Sequence, residues 1–227
     1  MSITQIQNSV PGSRGSESAD PRVGFFNELA PRWDRECSDP AGTLARLGVL
    51  AERLRLRPGQ DVLELGCGTG QITGWLADRV RPGRVVAADF APSMLDQARA
   101  RGQEANVQLL DICREPAGAR FDVVLCFNAF PHFRDKAAAL RNIAASLKLG
   151  GRLLILHLSG RAKLNAFHQG LREPVCHDLL PDAGAWPGLL GRAGLRCVEL
   201  ADQDDLFLLE CDAAECRPSP GRLPHPA

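Results

Sequence analysis

Tyrosine is absent from this chain of 227 residues, and lysine occurs only three times. Two side chains that often move protons in proteins are therefore missing or scarce. Histidine is the best-suited remaining group for proton transfer near neutral pH. The chain has five histidines, so any proton transfer that it performs falls to a small set of residues.

Long apolar runs and a net charge are also absent. The longest apolar run, from Leu153 to Leu158, has the length of a strand, whereas a membrane-spanning helix needs roughly twenty residues. Basic and acidic side chains balance at 27 each, which gives no basic field for nucleic acid. Residues 1–11 lack the basic start and apolar stretch of a secretory signal. We therefore expect no integral membrane segment, no nucleic-acid partner and a cytoplasmic location.

The cysteines form no Cys-x-x-Cys pair. Zinc sites in proteins need such close pairs, and Cys211 and Cys216 are the only two cysteines that come near this spacing. We expect free and mostly buried thiols in a reducing compartment. The eight cysteines are Cys37, Cys67, Cys113, Cys126, Cys176, Cys197, Cys211 and Cys216.

The hydrophobic content and the positions of the glycine- and proline-rich segments predict one domain between two tails. A chain of this length with 44% hydrophobic residues can bury one full core. Residues 1–21 are polar and glycine-rich, and residues 217–227 are proline-rich, so both are predicted to be disordered. The domain is then 22–216, with an insert over about 158–184.

Two helices are predicted before the first strand. Apolar residues recur at helical spacing over 22–34 and again over 41–56. The first segment carries Phe25, Phe26 and Trp33. These aromatic side chains either pack in the core or close over a ligand, and the sequence leaves both interpretations open.

Residues 62–70 read Val-Leu-Glu-Leu-Gly-Cys-Gly-Thr-Gly, a buried strand that runs into a glycine turn. Glycines at 66, 68 and 70 remove the side chains that would keep a ligand from the backbone. The dinucleotide-binding fingerprint would place its third glycine where Gln71 stands. Glu64 precedes the first glycine by two positions.

Two further predicted strands end near a carboxylate. Residues 84–89 end at Asp89, and residues 106–112 contain Asp111. An acidic side chain about twenty residues after a glycine turn can accept hydrogen bonds from a ribose diol. Asp89 can alternatively cap the helix that follows it. If the sheet is parallel, Glu64 and the two aspartates lie along one edge, where such sheets bind ligands.

The remaining segments complete an ordered pattern. A fourth strand is predicted over 121–126, and residues 147–157 read as a helix end, a glycine turn and a fifth strand. A short helix with Asn165 and His168 follows. The chain then predicts a last helix over 185–193 and two strands over 195–200 and 206–211.

In this order and spacing the motifs resemble those of the class I S-adenosylmethionine-dependent methyltransferases over about 61–157. The amino-terminal helices resemble the lid of the ubiquinone and menaquinone biosynthesis (type 11) enzymes. Ala91 and Leu149 depart from the serine and proline that are common in the family. The resemblance implies an α/β, Rossmann-like, doubly wound seven-stranded sheet with its last strand antiparallel. It also implies S-adenosylmethionine as cofactor, bound by Glu64, Gly66, Cys67, Gly68, Gly70, Asp89, Phe90, Met94, Asp111, Ile112 and Asn128.

The same resemblance implies transfer of a methyl group to a small-molecule acceptor that is phenolic, enolic or quinone-like. A neutral acceptor needs a base, and His132 is the first candidate and His157 the second. His168 and His177 are further candidates for the same pocket. With Asp178 the histidines are an alternative metal site, and Arg161 is an alternative anion-binding group.

Two alternative functions stay open. Methylation of a thiol, metal or metalloid would require Cys37, Cys126 or Cys176 to face the pocket. A regulatory subunit that binds the cofactor without catalysis is the other alternative. The sequence names neither the acceptor atom nor the oligomeric state.

Overall fold

The computed structural model describes residues 20–103 and 106–213. The predicted tails therefore lie outside the described residues, except that Asp20 caps the first helix and Pro21 begins it. No helix in these two ranges is both long enough and apolar enough to cross a membrane.

Seven strands form one mixed sheet in the order β3-β2-β1-β4-β5-β7-β6. The first five are parallel, and β7 is antiparallel to both of its neighbours. This confirms the predicted doubly wound sheet and its antiparallel last strand. The strands are β1 Val62–Leu65, β2 Val85–Asp89, β3 Val107–Leu109, β4 Phe121–Phe127, β5 Leu147–His157, β6 Leu195–Gln203 and β7 Leu206–Ala213.

Helices precede, connect and cover the strands. Three of them have an aspartate cap whose carboxylate accepts a backbone N–H of the first turn: Asp20, Asp39 and Asp135. The α-helices are α1 Pro21–Leu29, α2 Trp33–Glu36, α3 Pro40–Leu54, α4 Thr73–Val80, α5 Pro92–Ala98, α6 Lys136–Ser146, α7 Arg161–Gln169 and α8 Trp186–Ala193.

Some element boundaries differ from the sequence prediction. The single helix predicted over 22–34 is divided into α1, a 3₁₀ turn at Ala30–Arg32 and α2. Pro31 explains the break, because it has no N–H to continue the helical hydrogen bonds. The predicted helix end at 147 is wrong, since α6 ends at Ser146. β5 then contains Gly150 in a left-handed conformation, at φ 73°.

Two hydrophobic cores cover the two faces of the sheet. In β5, Leu153 and Ile155 belong to one core, whereas Leu154 and Leu156 belong to the other. This alternation is what a strand buried on both faces requires. The first core is centred on Phe121, Phe130, Trp186 and Phe207, and the second on Leu47, Leu76, Val80 and Leu125.

Charged side chains cluster toward the amino ends of the parallel strands. Glu210, with 2% of its side chain exposed, pairs with Arg55 and with Arg152 at 3.3 Å. Lys148 donates to Asp61 and Asp122 at 2.9 Å each. This edge is therefore held by ion pairs, and the opposite edge is left for ligands.

Candidate active site

The glycine turn after β1 lies close to Ala129, the residue just before the turn at 130–133. Gly66, Gly68 and Gly70 have φ of 71°, 56° and 75°, a region that favours glycine. A Cβ on Gly66 would lie only 2.4 Å from Cβ of Ala129. The turn thus depends on glycine both for its conformation and for its close approach.

Asp89 ends β2 with its carboxylate buried beside this turn. Its Oδ2 accepts the N–H of Gly68 at 2.9 Å, and its Oδ1 accepts the N–H of Ala91 at 2.8 Å. Burial raises the pKa of Asp89, and the backbone hydrogen bonds oppose that rise. Each oxygen retains a lone pair, so the carboxylate can accept further hydrogen bonds.

Glu64 points from β1 toward helix α4. The hydroxyl of Thr73 donates to Oε2 of Glu64 at 2.6 Å. Burial raises the pKa of Glu64 to about 8. The side chain lines the cavity beside the glycine turn.

Three cavities follow the edge formed by β1, β2 and β3, and Gly66 lines all of them. They measure about 310, 60 and 20 Å³. The structure brings ten of the eleven candidate cofactor residues to this edge of the sheet. The candidates that line these cavities are Glu64, Gly66, Cys67, Gly68, Asp89, Phe90, Met94, Asp111, Ile112 and Asn128.

Gly70 does not line these three cavities, and Asp111 is already engaged. The N–H of Gly70 donates to the carbonyl of Cys67 at 3.0 Å, which closes the turn. Asp111 accepts the N–H of Cys113 at 3.0 Å and lies 3.2 Å from Nε of Arg114.

The amino-terminal segment, α1 to α2, lies over these cavities and is called the lid below. Phe26 contacts Phe90 with ring centroids 5.8 Å apart and His132 at 5.0 Å. Asp34 accepts the hydroxyl of Thr69 at 2.7 Å and also pairs with Arg101. The aromatic cluster therefore both packs and covers the site.

The lid also supplies the cap that Ala91 cannot provide. Ala91 makes no side-chain cap at the start of α5. Instead Oδ1 of Asn27 accepts the N–H of Ser93 at 2.9 Å. A group distant in sequence thus supplies this cap.

His132 and Arg22, which are partly buried, form a hydrogen-bonded group with the buried carboxylate of Asp178. Its Nδ1 lies 2.8 Å from Oδ2 of Asp178. Arg22, on the lid, donates Nη2 to Oδ1 of the same carboxylate at 2.6 Å. Burial raises the pKa of Asp178, but the hydrogen bonds from His132 and Arg22 outweigh it and hold the pKa below its ordinary value. The carboxylate is therefore ionised and accepts Nδ1–H of the imidazole.

His132 is held by the turn that carries it. The ammonium of Lys136 donates to the carbonyls of Pro131 and Phe133 at 3.0 and 3.2 Å. Burial lowers the pKa of Lys136. Because the backbone carbonyls on both sides of His132 accept hydrogen bonds from Lys136, the backbone that carries the imidazole is held in place.

A fourth cavity of about 240 Å³ adjoins the first and contains three histidines. The rings of His132 and His168 lie 5.0 Å apart, and Nδ1 of His168 contacts the backbone carbonyl of Asp178. Burial lowers the pKa of His168 to about 4 and that of His157 to about 3. Asn128 lines this cavity as well as two of those along the sheet edge.

Other candidates lie elsewhere or are already paired. His177 is 80% exposed, pairs with Glu173 and does not line the histidine cavity. Arg161 pairs with Asp182 at 2.6 Å and with Asp202, and it does not line the histidine cavity.

The described cysteines are free thiols. Cys37 lines the histidine cavity, whereas Cys126 and Cys176 do not. Burial raises the pKa of the Cys37 thiol. Cys37, Cys67, Cys126 and Cys211 are buried, Cys113 and Cys176 partly so, and Cys197 is exposed. Cys216 lies outside the described residues.

Sequence reasoning missed Arg22 and assigned Asp178 no role except in a metal site. Arg22 and Asp178 are 156 residues apart, and no local motif links them. The sequence held only an indirect indication of Asp178. A polar segment that contains this carboxylate follows the predicted fifth strand, and the segment with His132 follows the fourth.

Comparisons with known proteins agree with this geometry. A family model described as a methyltransferase domain matches residues 62–151. The ubiquinone biosynthesis O-methyltransferase of Xanthomonas campestris pv. campestris is 33% identical over 165 residues, which cover 67% of this chain and 66% of that protein. The ubiquinone/menaquinone biosynthesis C-methyltransferase of Ectopseudomonas mendocina is 35% identical over 63% of this chain and 60% of its own length.

The fold is also that of a solved methyltransferase. Magnesium protoporphyrin IX methyltransferase from Synechocystis PCC 6803, with bound SAH, superposes with a TM-score of 0.62 at 19% identity, covering 86% of this chain and 98% of that one. The matches to the curated relatives span between 38% and 66% of those proteins' lengths.

Proposed function

The chain belongs to the class I S-adenosylmethionine-dependent methyltransferases, and we propose that it transfers the methyl group of this cofactor to a small-molecule acceptor. The acceptor is phenolic, enolic or quinone-like. One observation carries the proposal: the cavities around Asp89 and the histidine cavity meet at Asn128 and His132. A cofactor site and a base therefore adjoin.

The residues at the sheet edge suit the cofactor. A Cβ on Gly68 would meet only Sδ of Met94, at 4.0 Å, so the space beside this part of the turn is open to a ligand. Asp89 would accept the ribose hydroxyls with its remaining lone pairs. The resemblance to the family implies that Asp111 and Ile112 would hold the adenine ring.

Bound there, S-adenosylmethionine supplies a methyl carbon that the positive sulfur makes electrophilic. The chain contributes position and exclusion of water, which are the main demands of an in-line displacement. Phe26 and Trp33 cover the cavity next to Asp89. The lid thereby keeps the reacting atoms in an enclosed space.

His132 is assigned as the general base. Its Nδ1–H donates to Asp178, so Nε2 of the neutral ring has a lone pair that can take the acceptor's proton. His157 is less suited, because burial lowers its pKa to about 3 and makes it a weak base. Asp178, held by Arg22, orients the ring of His132.

The two alternative functions receive less support. Thiol or metalloid methylation would need reactive thiols, but burial raises the pKa of Cys37 and keeps it protonated. A subunit without catalysis would not need an imidazole held by a buried carboxylate at the junction of two cavities. Methyl transfer uses that arrangement directly.

Thermal unfolding with and without the demethylated product SAH tests the cofactor site. Ligand at a hundred times its dissociation constant adds about 2.7 kcal/mol, which raises the midpoint by about 5–11 °C. Asp89→Ala should lose this rise. Asp96→Ala, which removes an exposed carboxylate of α5, is the matched control and should keep it. A folded parent that shows no rise would contradict the proposal.

A further inference from the structure

The histidine cavity has no charged lining. Its walls are aromatic, aliphatic, amide, hydroxyl, thiol and imidazole groups, without a carboxylate, ammonium or guanidinium. A charged guest would therefore lose its hydration without gaining a counter-ion, which is costly in a buried site. The walls that the argument uses are Trp33, Leu164, Phe167 and the three histidines His132, His157 and His168.

Asp178 determines the hydrogen-bonding pattern of two of these histidines. Its carboxylate accepts Nδ1–H of His132, and its backbone carbonyl accepts Nδ1–H of His168. A carbonyl oxygen can only accept, so the proton of neutral His168 must lie on Nδ1. In both neutral rings Nε2 is then the nitrogen with the free lone pair. Two hydrogen-bond acceptors thus stand on rings whose centroids are 5.0 Å apart.

The third histidine offers the guest no hydrogen bond. His157 is 1% exposed, and neither of its fully buried ring nitrogens has a hydrogen-bond partner among the described residues. The acceptors that a guest in this cavity can reach are therefore those of His132 and His168.

We infer that this cavity binds an uncharged acceptor with two neighbouring hydrogen-bond donors, one directed to Nε2 of His132 and the other to Nε2 of His168. The inference rests on the proposed methyl transfer and makes His168 a residue that binds and selects the acceptor. The donor at His132 is the group that would lose its proton to Nε2 as its heavy atom bonds to the methyl carbon, while the bond from that carbon to sulfur breaks and its electron pair stays on the sulfur of SAH. The donor at His168 keeps its proton.

The inference separates acceptors that otherwise share an aromatic ring. A ring with two adjacent hydroxyls satisfies both imidazoles, and a ring with one hydroxyl leaves one of them unpaired. A ring whose second group is a carboxylate brings a charge and an acceptor where a donor is needed. The predicted order of affinity is therefore diol, single phenol and hydroxy acid.

Calorimetric titration of the SAH-saturated full chain with catechol, phenol and salicylate tests this order without turnover. One neutral hydrogen bond contributes about 0.5–1.5 kcal/mol, so catechol should bind about 2- to 13-fold more tightly than phenol. Salicylate should bind most weakly.

His168→Asn is the decisive variant. The asparagine amide can still donate to the Asp178 carbonyl, but it places no acceptor where Nε2 stood. The preference for catechol over phenol should fall to about one, while the affinity for phenol stays within about twofold of the parent. His177→Asn, an exposed histidine away from the cavity, is the control and should keep the preference.

The outcomes distinguish this inference from the function on which it rests. An unchanged preference in His168→Asn, a preference for salicylate, or equal binding of catechol and phenol by the parent would overturn it. So would a parent that binds SAH but none of the three probes, and that result would leave the cofactor site intact. Failure of SAH itself to bind would overturn the proposed function. Unfolding midpoints of the variants, measured with SAH, show whether each is folded.

Discussion

Asp178 lies between the guanidinium of Arg22 and the imidazole of His132. The carboxylate makes no contact with the cofactor cavities, so its effect on the reaction must pass through His132. It is a positioning residue in this assignment. In the proposed function His132 is the residue that contacts the acceptor.

We expect His132→Gln to lower kcat by about 100-fold or more, because a general base contributes that much. Asp178→Asn should lower kcat in the same direction, since the ring loses its charged partner. If the two residues act as one unit, the double variant will be no slower than the slower single variant. Initial rates at saturating S-adenosylmethionine measure this. His177→Gln serves as the control, and a double variant whose loss equals the product of the two single losses would contradict the assignment.

The raised pKa of Glu64 predicts that the stability of the fold depends on pH. Its folded pKa of about 8 lies above the ordinary value of 4.5, so the folded state holds a proton that the unfolded state releases. The stabilisation by protonated Glu64 is complete below about pH 4.5 and is lost as the pH rises toward 8. Glu64→Gln keeps an acceptor for Thr73 and carries no charge. Its unfolding midpoint relative to the parent should therefore rise between pH 5 and pH 8, and a constant difference would refute this cause.

At the scale of elements, the lid is joined to the rest of the site by polar contacts at both ends. Arg22 in α1 reaches Asp178, and Asp34 in α2 reaches Thr69 and Arg101. Between them Phe26 packs against Phe90 and His132. Opening the lid would break the contact of Arg22 and that of Asp34, and would expose the aromatic ring.

Asp34→Asn tests the carboxyl end of the lid. The change removes the ion pair with Arg101 and weakens the hydrogen bond from Thr69. Loss of about 1 kcal/mol in the closed state should speed the release of SAH roughly 5-fold. Stopped-flow measurement of Trp33 fluorescence follows the release. Asp96→Asn removes an exposed pair with Arg99 and should leave the rate unchanged; an unchanged rate in Asp34→Asn would mean that this contact does not hold the lid.

The elements themselves could largely be predicted from the sequence, and their contacts could not. Alternating strands and helices, with carboxylates at strand ends, predicted the sheet and brought Glu64, Asp89 and Asp111 to one edge. The lid was predicted as one helix, because the effect of Pro31 depends on where the chain must turn to reach Thr69. The cap at Ser93 comes from Asn27, 66 residues away, and no periodic pattern encodes such a contact.

At the scale of the whole molecule, the two edges of the sheet have different tasks. The cavities lined by the candidate cofactor residues lie at the carboxyl edge of the parallel strands, and the ion pairs of Glu210 and Lys148 lie toward the amino edge. Glu210 is the most buried charge of that second edge, between Arg55 and Arg152. Removing it should affect stability without affecting ligands.

We expect Glu210→Gln to lower the free energy of unfolding by about 3 kcal/mol, because Arg152 keeps a largely buried charge without its partner. The dissociation constant of SAH should stay within about twofold of the parent under conditions where the variant is folded. Urea denaturation and calorimetry measure the two quantities. A large loss of SAH affinity would show that the edges are not independent.

The position of Asn128 bears on how strongly cofactor and acceptor affect each other's binding. It adopts a left-handed backbone conformation, with φ 52°, and it lines cavities on the cofactor side and on the acceptor side. In the proposed function one wall is therefore common to the two ligands, and we expect the first ligand to restrict the position of that wall for the second. Such coupling is reciprocal: the factor by which cofactor raises the affinity for acceptor equals the factor by which acceptor raises the affinity for cofactor. The affinity measured for the methyl donor then depends on whether the acceptor is bound, and the affinity for the acceptor depends equally on whether the donor is bound.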